Sequence, residues 1–170
     1  MSEFIFPPNN INNPNNPVVF LAGPVQGAED WQKAAADMLL AQGAEASIIS
    51  PRGAPELYQK PSAWLDNNKQ NPWERHYLRL AREKGVLAMW MAEQTFETPG
   101  RAYAQTSRIE FGFIAGWKDY NPDIDFVFGV SDTYQGGNKT YMQEVCGEIG
   151  VPVHNSLGTW CAAILERLNS

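Results

Sequence analysis

The residue best placed by type and context to do chemistry is Glu110, a carboxylate inside an apolar stretch that is predicted to open a helix. The stretch runs Gln105-Thr106-Ser107-Arg108-Ile109-Glu110-Phe111-Gly112-Phe113 and continues to Trp117. Burying an unpaired carboxylate is costly, so such a group is usually either partnered or functional. In a cleft it would act as a nucleophile or general base. Alternatively, it is a structural carboxylate, held by the positive end of the helix macrodipole and paired with Arg108 or Arg101.

Short apolar segments alternate with helical segments along the rest of the chain. The segment Val18 to Ala22 is entirely apolar and ends at Gly23-Pro24, which is typical of a buried parallel strand that runs into a loop. Strands are predicted at 18–22, 46–50, 85–91, 125–130 and 151–154. Helices are predicted at 28–42, 72–84, 140–148 and 157–168, and a further helix contains Glu110 and ends at about residue 117. We therefore predict a single-domain, three-layer α/β/α fold whose five-stranded parallel sheet has the flavodoxin-like order 2-1-3-4-5.

In a sheet of this kind, ligands bind outside the carboxyl ends of the strands, where the strand order reverses. The loops predicted at that edge are residues 23–27, 50–71, 92–103 and 131–137. The second of them is long, and long loops in compact domains commonly bind ligands. Glu110 follows the third loop, and Pro72-Trp73-Glu74 is predicted to open the helix that follows the second. The pattern therefore places two carboxylates near one crevice.

Composition excludes several classes of function. The chain has 170 residues, 44% of them hydrophobic, and a formal net charge of −6. It lacks the basic field that neutralises phosphates, so no nucleic-acid polymer is expected as a partner. Cys146 and Cys161 have no spacing typical of a zinc site and are predicted to be reduced core thiols. We expect no metal site.

The N-terminal region carries neither a signal-peptide pattern nor a long apolar run. No window of the chain approaches 18 apolar residues, so we expect no membrane association and a cytoplasmic location. Residues 7–17 are a low-complexity Asn/Pro segment that is unsuited to the interior of a helix or strand. The sequence therefore predicts residues 1–17 as a mobile or extended arm and residues 18–170 as the folded domain.

Three segments together resemble the nucleoside 2-deoxyribosyltransferase family, and more closely its divergent branch with a Gly-Pro-x-Gln-Gly turn. The first is Val19-Phe20-Leu21-Ala22-Gly23-Pro24-Val25-Gln26-Gly27, followed by Trp31. The others are Trp73-Glu74 at a helix start and Thr106-Ser107-Arg108-Ile109-Glu110-Phe111-Gly112. They occur in the family's order and spacing across residues 18–117.

The resemblance implies retaining transfer of a 2-deoxyribosyl group between nucleobases, through a covalent glycosyl ester on Glu110. The implied partners are nucleosides and free nucleobases, and no metal or organic cofactor is required. A carboxylate can attack an anomeric carbon and later depart from it. Because one base gains a proton and the other loses one, a second carboxyl about 5 to 5.5 Å away is expected. Glu74 is the candidate by position; its alternative role is a carboxylate stabilised by the helix dipole.

Further residues are candidates for substrate binding. Gly23 and Pro24 would let the backbone approach a ligand closely, and Gln26 could read a base edge. Trp31 could stack on a base, although a Trp at helical spacing is more often a core residue. Arg52 could contact the base or sugar, or lie on the surface.

The chain also departs from the family pattern. Many members carry an Asp six residues before the glutamate, where this chain has Ala104, so either Gln105 or a neighbour replaces it or proton handling differs. The family usually places a residue of a neighbouring subunit in the sugar site, which implies a homo-oligomer with sites near subunit interfaces. Asn138 and Tyr141 are candidates for that role, and both could equally face solvent.

Two alternative functions stay open. A hydrolase acting on deoxynucleoside 5′-monophosphates would need an anion site, which Ser107, Thr106, Arg101 and Arg108 could form near a helix N-terminus. Ser107 and Thr106 could instead form a plain N-cap pair. A non-catalytic nucleotide sensor would keep the crevice without the chemistry.

Overall fold

The structure is a computed structural model that describes residues 1–53 and 67–170, with the side chains of residues 67–70 left aside. Its strands are β1 (Glu3–Ile5), β2 (Val18–Ala22), β3 (Ser47–Ile49), β4 (Gly85–Met91), β5 (Asp125–Val130) and β6 (Val153–His154). Its helices within the described residues are α1 (Trp31–Ala41), α2 (Asn67–Lys84), α3 (Gln105–Tyr120), α4 (Lys139–Glu148) and α5 (Leu157–Leu168). None of these helices combines the length and the apolar character that crossing a membrane requires.

All strand pairs are parallel, and the order across the sheet is β1-β3-β2-β4-β5-β6. Without β1, this is the predicted flavodoxin-like order, so the three-layer α/β/α fold is confirmed. The sheet has one strand more than predicted, because Glu3–Ile5 pairs in register with Ser47–Ile49 at the edge. A strand of three residues that pairs on one side with β3 carries too little periodicity to be recognised from sequence.

Both faces of the sheet are covered, which explains why the central strands β2 and β4 are apolar throughout. In β2, Val18, Phe20 and Ala22 face the cluster that includes residues of α2, α3 and α4, whereas Val19 and Leu21 face the cluster of α1 and α5. The alternation follows from the two-residue period of a strand. Cys146 and Cys161 are free thiols buried in these two clusters, as predicted.

The Asn/Pro segment forms neither helix nor strand between residues 6 and 17, in agreement with its composition. It packs against α2 through its backbone: the carbonyl of Asn9 accepts a hydrogen bond from Trp73 Nε1 at 2.8 Å, and the amide of Ile11 donates to Tyr77 Oη at 3.1 Å. The carboxylate of Glu3 accepts hydrogen bonds from Ser47 Oγ and from the amide of Asn12. Although burial acts to raise the pKa of Glu3, these hydrogen bonds outweigh it and lower the pKa.

The predicted start of α2 is wrong, and this changes the place of Glu74 in the helix. Helix α2 begins at Asn67 rather than at Pro72, so Glu74 lies in its third turn. Helix α3 begins at Gln105, and its N-cap is Ala104 in a left-handed conformation without a side-chain cap bond. Glu110 therefore lies in the second turn, and Thr106 and Ser107 are not an N-cap pair. Most of the predicted loop 50–71 lies outside the described residues.

Candidate active site

A cavity of about 450 Å³ lies at the carboxyl ends of the strands and contains both predicted carboxylates. Its walls come from the loops after β2, β3 and β4, together with α2 and α3. Six residues predicted to act at the site line it: Gly23, Pro24, Gln26, Glu74, Ser107 and Glu110. The fold thus brings together side chains that are up to 87 positions apart, from Gly23 to Glu110, at the edge where parallel sheets bind ligands.

The carboxyl of Glu110 is strongly perturbed at this cavity. The pKa of this carboxyl is raised from the usual 4.5 to about 8. Burial is the larger cause, and the nearby carboxylate of Glu74 is the second. Both causes disfavour a negative charge on Glu110. With a pKa of about 8, the carboxyl of Glu110 is mostly protonated at neutral pH.

The structural alternative for Glu110 does not hold in this part of the chain. Glu110 is the sixth residue of α3, and a macrodipole acts mainly within the first turn. The two arginines are engaged elsewhere: Arg101 donates to Gln26 and Thr106, and Arg108 donates to the carbonyl of Gly136. A carboxylate stabilised by a dipole or an arginine would have a lowered pKa, whereas the pKa of Glu110 is raised.

Gly23 has a backbone role at the cavity wall. Its φ is +146°, a value that residues with a side chain rarely adopt, and a Cβ atom there would collide with the carbonyl oxygen of Trp90. The next residue, Pro24, is fixed by Trp31, whose Nε1 donates to the Pro24 carbonyl at 2.8 Å. Glycine is therefore required where β2 runs into the cavity loop.

Trp31 and Arg52 lie behind the cavity wall rather than on it. Trp31 is 6% exposed and packs edge-on against Trp160, with ring centroids 5.9 Å apart. Arg52 is buried, and its Nη2 donates to the carbonyls of Val25, Ala28 and Glu29 at 3.0, 3.2 and 2.8 Å. Both side chains fix the loop that carries Gln26, so the geometry gives them a positioning role.

Asn138 lies apart from the carboxylates. It caps α4 with a φ of +60° and lines a second cavity, of about 690 Å³, between α3 and α4. Tyr141 and Arg108 line the same second cavity, so within one chain neither Asn138 nor Tyr141 reaches Glu110. Of the four residues predicted for an anion site, Arg101, Thr106 and Ser107 share the first cavity and Arg108 does not.

Sequence reasoning missed two contributions from the loop after β4. Tyr103 lines the cavity, and its hydroxyl lies 2.8 and 2.9 Å from the carbonyl oxygens of Ala92 and Glu93. The same loop is tied to the loop after β2, because the amide of Thr95 donates to the Gly27 carbonyl at 2.8 Å. An irregular loop has no periodic signal that would reveal these contacts.

Ala104 stands where many members of the family that the sequence resembles carry an Asp. Ala104 has a φ of +55°, is 8% exposed and lines the cavity as the N-cap of α3. No carboxylate stands there. Gln105, the substitute considered from sequence, is exposed and lines both cavities.

Comparison with protein-family models and with curated proteins finds no match for this chain. Among the residues that the structure describes, no group of three or more His, Cys, Asp or Glu side chains is arranged to hold a metal ion.

Proposed function

We propose that this protein transfers a 2-deoxyribosyl group between nucleobases with retention of configuration, through a glycosyl ester on Glu110. One observation carries the proposal: two carboxyls from separate helices line the same cavity. Burial and the neighbouring carboxylate of Glu74 raise the pKa of Glu110 to about 8. The resemblance of residues 18–117 to the nucleoside 2-deoxyribosyltransferase family supports the same reading.

The reaction follows from a pair of carboxyls that holds one proton. In the first half, the proton of the pair passes through Glu74 to a ring nitrogen of the leaving base, and the C1′–N bond breaks. A carboxylate oxygen of Glu110 attacks C1′ and forms the ester bond. In the second half, the incoming base attacks C1′, its proton passes to Glu74, and Glu110 departs as a carboxylate. Two inversions give net retention, and atoms and charge balance over the cycle.

The first experiment mixes deoxyinosine, free adenine and the protein, and follows deoxyadenosine by chromatography. We expect exchange with the parent protein. Glu110→Gln should lower the rate about a thousandfold or more, because it removes the nucleophile. Glu74→Gln should lower it about 10²- to 10⁴-fold, the usual range for a lost acid or base. Glu83→Gln is the matched control on α2, since Glu83 is exposed and forms a surface ion pair with Arg82.

A second experiment tests the covalent step directly. A 2-fluoro-arabinosyl nucleoside slows hydrolysis of the ester, so mass spectrometry of the digested protein should place the sugar on the peptide that contains Glu110. A parent protein that exchanges no base, together with a Glu110→Gln variant that binds nucleosides as well as the parent, would instead identify a sensor.

The hydrolase alternative is separated by its acceptor and its substrate. Arg101, Thr106 and Ser107 line the carboxylate cavity and are the observation in its favour. Hypoxanthine released without added adenine, from deoxyinosine 5′-monophosphate but not from deoxyinosine, would decide for that activity. A cytoplasmic location and a homo-oligomer with sites near subunit interfaces belong to the proposal for the transferase.

A further inference from the structure

Three polar side chains form a connected row on one wall of the cavity. Gln26 comes from the loop after β2, Arg101 from the loop after β4 and Thr106 from the first turn of α3. Arg101 Nη1 donates to Gln26 Oε1 at 2.7 Å, and Arg101 Nη2 donates to Thr106 Oγ1 at 3.0 Å. We call these three residues the donor row.

The contacts of Arg101 fix what the donor row offers to a ligand. A guanidinium has donors only, so the oxygen of the Gln26 amide must face it. The amide nitrogen of Gln26 is then directed elsewhere, and within the described residues it has no hydrogen-bond partner. Because the Thr106 oxygen accepts from Arg101, its hydroxyl hydrogen is also available. The Gln26 amide nitrogen and the Thr106 hydroxyl hydrogen are therefore donors left over on residues that line the cavity.

The donor row lies close to the reacting atoms. Thr106 precedes Glu110 by four residues in α3, and side chains four apart lie on the same face of a helix. A sugar attached to Glu110 would carry its base within reach of this wall. The wall that faces the base is thus rich in donors, while the acceptors Glu74 and Glu110 serve the sugar and the proton.

We infer that the donor row selects nucleobases whose exposed edge carries carbonyl oxygens, namely 6-oxopurines and 4-oxopyrimidines over their amino counterparts. This inference rests on the proposed function and names its substrate class. A 6-oxopurine presents two adjacent acceptors, N7 and O6, whereas adenine replaces O6 with an amino donor. Arg101 is a positioning residue here, since it holds the Gln26 amide with its nitrogen toward the ligand.

The test compares rates within pairs of donor substrates, with one common acceptor base. The ratio of kcat/KM for deoxyinosine over deoxyadenosine, and for deoxyuridine over deoxycytidine, should favour the oxo member about 5- to 150-fold, the discrimination given by one good paired contact. Comparing the ratio of a variant with that of the parent removes effects on folding and the intrinsic difference between the two leaving bases, which are common to both measurements.

Variants of Arg101 then separate orientation from mere presence. Arg101→Met frees the Gln26 amide to rotate, so the ratio should fall toward one. Arg101→Glu supplies an acceptor, which turns the amide oxygen toward the ligand and should move the ratio below that of Arg101→Met. Arg101→Lys keeps a donor and should retain a preference for the oxo base. Arg79→Met, an exposed arginine of α2 outside this cavity, should leave the ratio unchanged.

The outcomes distinguish this inference from the proposed function. The inference would be overturned if the oxo and amino nucleosides of each pair were exchanged with the same kcat/KM, or if Arg101→Glu did not change the ratios. Either result would still agree with the proposed transferase function. A marked gain from a 5′-phosphate that Arg101→Met abolishes, with no oxo preference, would assign the donor row to phosphate and also overturn it. Absence of any turnover in the parent protein would overturn the proposed function itself.

Discussion

Replacing Glu110 with glutamine should stabilise the protein, and by an amount that depends on pH. The folded state raises the pKa of this carboxyl from 4.5 to about 8, so between these values the native protein holds a proton that the unfolded chain releases. Stability of the parent protein therefore falls as the pH rises through this window. Glutamine carries no titrating proton and avoids that loss.

The size of the effect follows from the same two values. A pKa difference of one corresponds to about 1.4 kcal/mol, so the difference between 4.5 and about 8 sets an upper limit near 5 kcal/mol. Glu110 is only partly buried, and water in an open cavity screens the charge. We therefore expect the variant to gain about 1 to 3 kcal/mol above pH 8, and little below pH 4.5.

Chemical denaturation of parent and Glu110→Gln at intervals from pH 4 to 9 measures this difference. Each kcal/mol also raises the melting temperature by about 2 to 4 °C in a protein of this size. Glu83→Gln, which removes an exposed carboxylate of α2, is the control against which the trend of Glu110→Gln is measured. A stability difference that is constant across the range, or one that favours the parent above pH 8, would refute the argument that Glu110 is destabilised by burial and by Glu74.

Other predictions concern the groups around Glu110. Glu74→Gln removes a neighbouring negative charge, so the pKa of Glu110 should fall, as measured by NMR titration of a carboxyl-labelled sample; an unchanged value would separate the two groups electrostatically. Gly23→Ala should cost about 1 to 3 kcal/mol of stability in denaturant unfolding, because alanine strains a backbone at φ +146° and meets the Trp90 carbonyl. Arg52→Met should cost at least about 2 kcal/mol in the same assay, because the carbonyls of Val25 and Ala28 lose the Arg52 donor, and Arg52→Lys should restore only part of that loss.

Sequence patterns predicted the sheet and the two carboxylates because both depend on regular elements. Runs such as Val18–Ala22 and Gly85–Met91 are apolar on both faces, which only a strand covered on two sides requires. The loop geometry was beyond such patterns: Ala104 adopts a left-handed conformation that its side chain does not favour, and Arg52 turns inward to bind backbone carbonyls. Those choices are made by tertiary contacts between residues far apart in the chain.

The same distinction explains Trp31 and Arg52. Their types are compatible with stacking on a base or contacting a sugar, and only the packed structure shows them behind the wall, against Pro24 and the carbonyls of residues 25–29. A side chain one layer behind a ligand cannot be told from one that touches it by residue type alone.

The Asn/Pro segment would be an obvious choice for truncation before crystallisation. Its hydrogen bonds to Trp73 and Tyr77 are a reason to keep it. Trp73 and Tyr77 lie on either side of Glu74 in the sequence of α2, and their rings pack edge-on with centroids 4.6 Å apart. Deleting the leading residues would remove these hydrogen bonds from the helix that carries Glu74, so the deletion would perturb a cavity residue that it never touches.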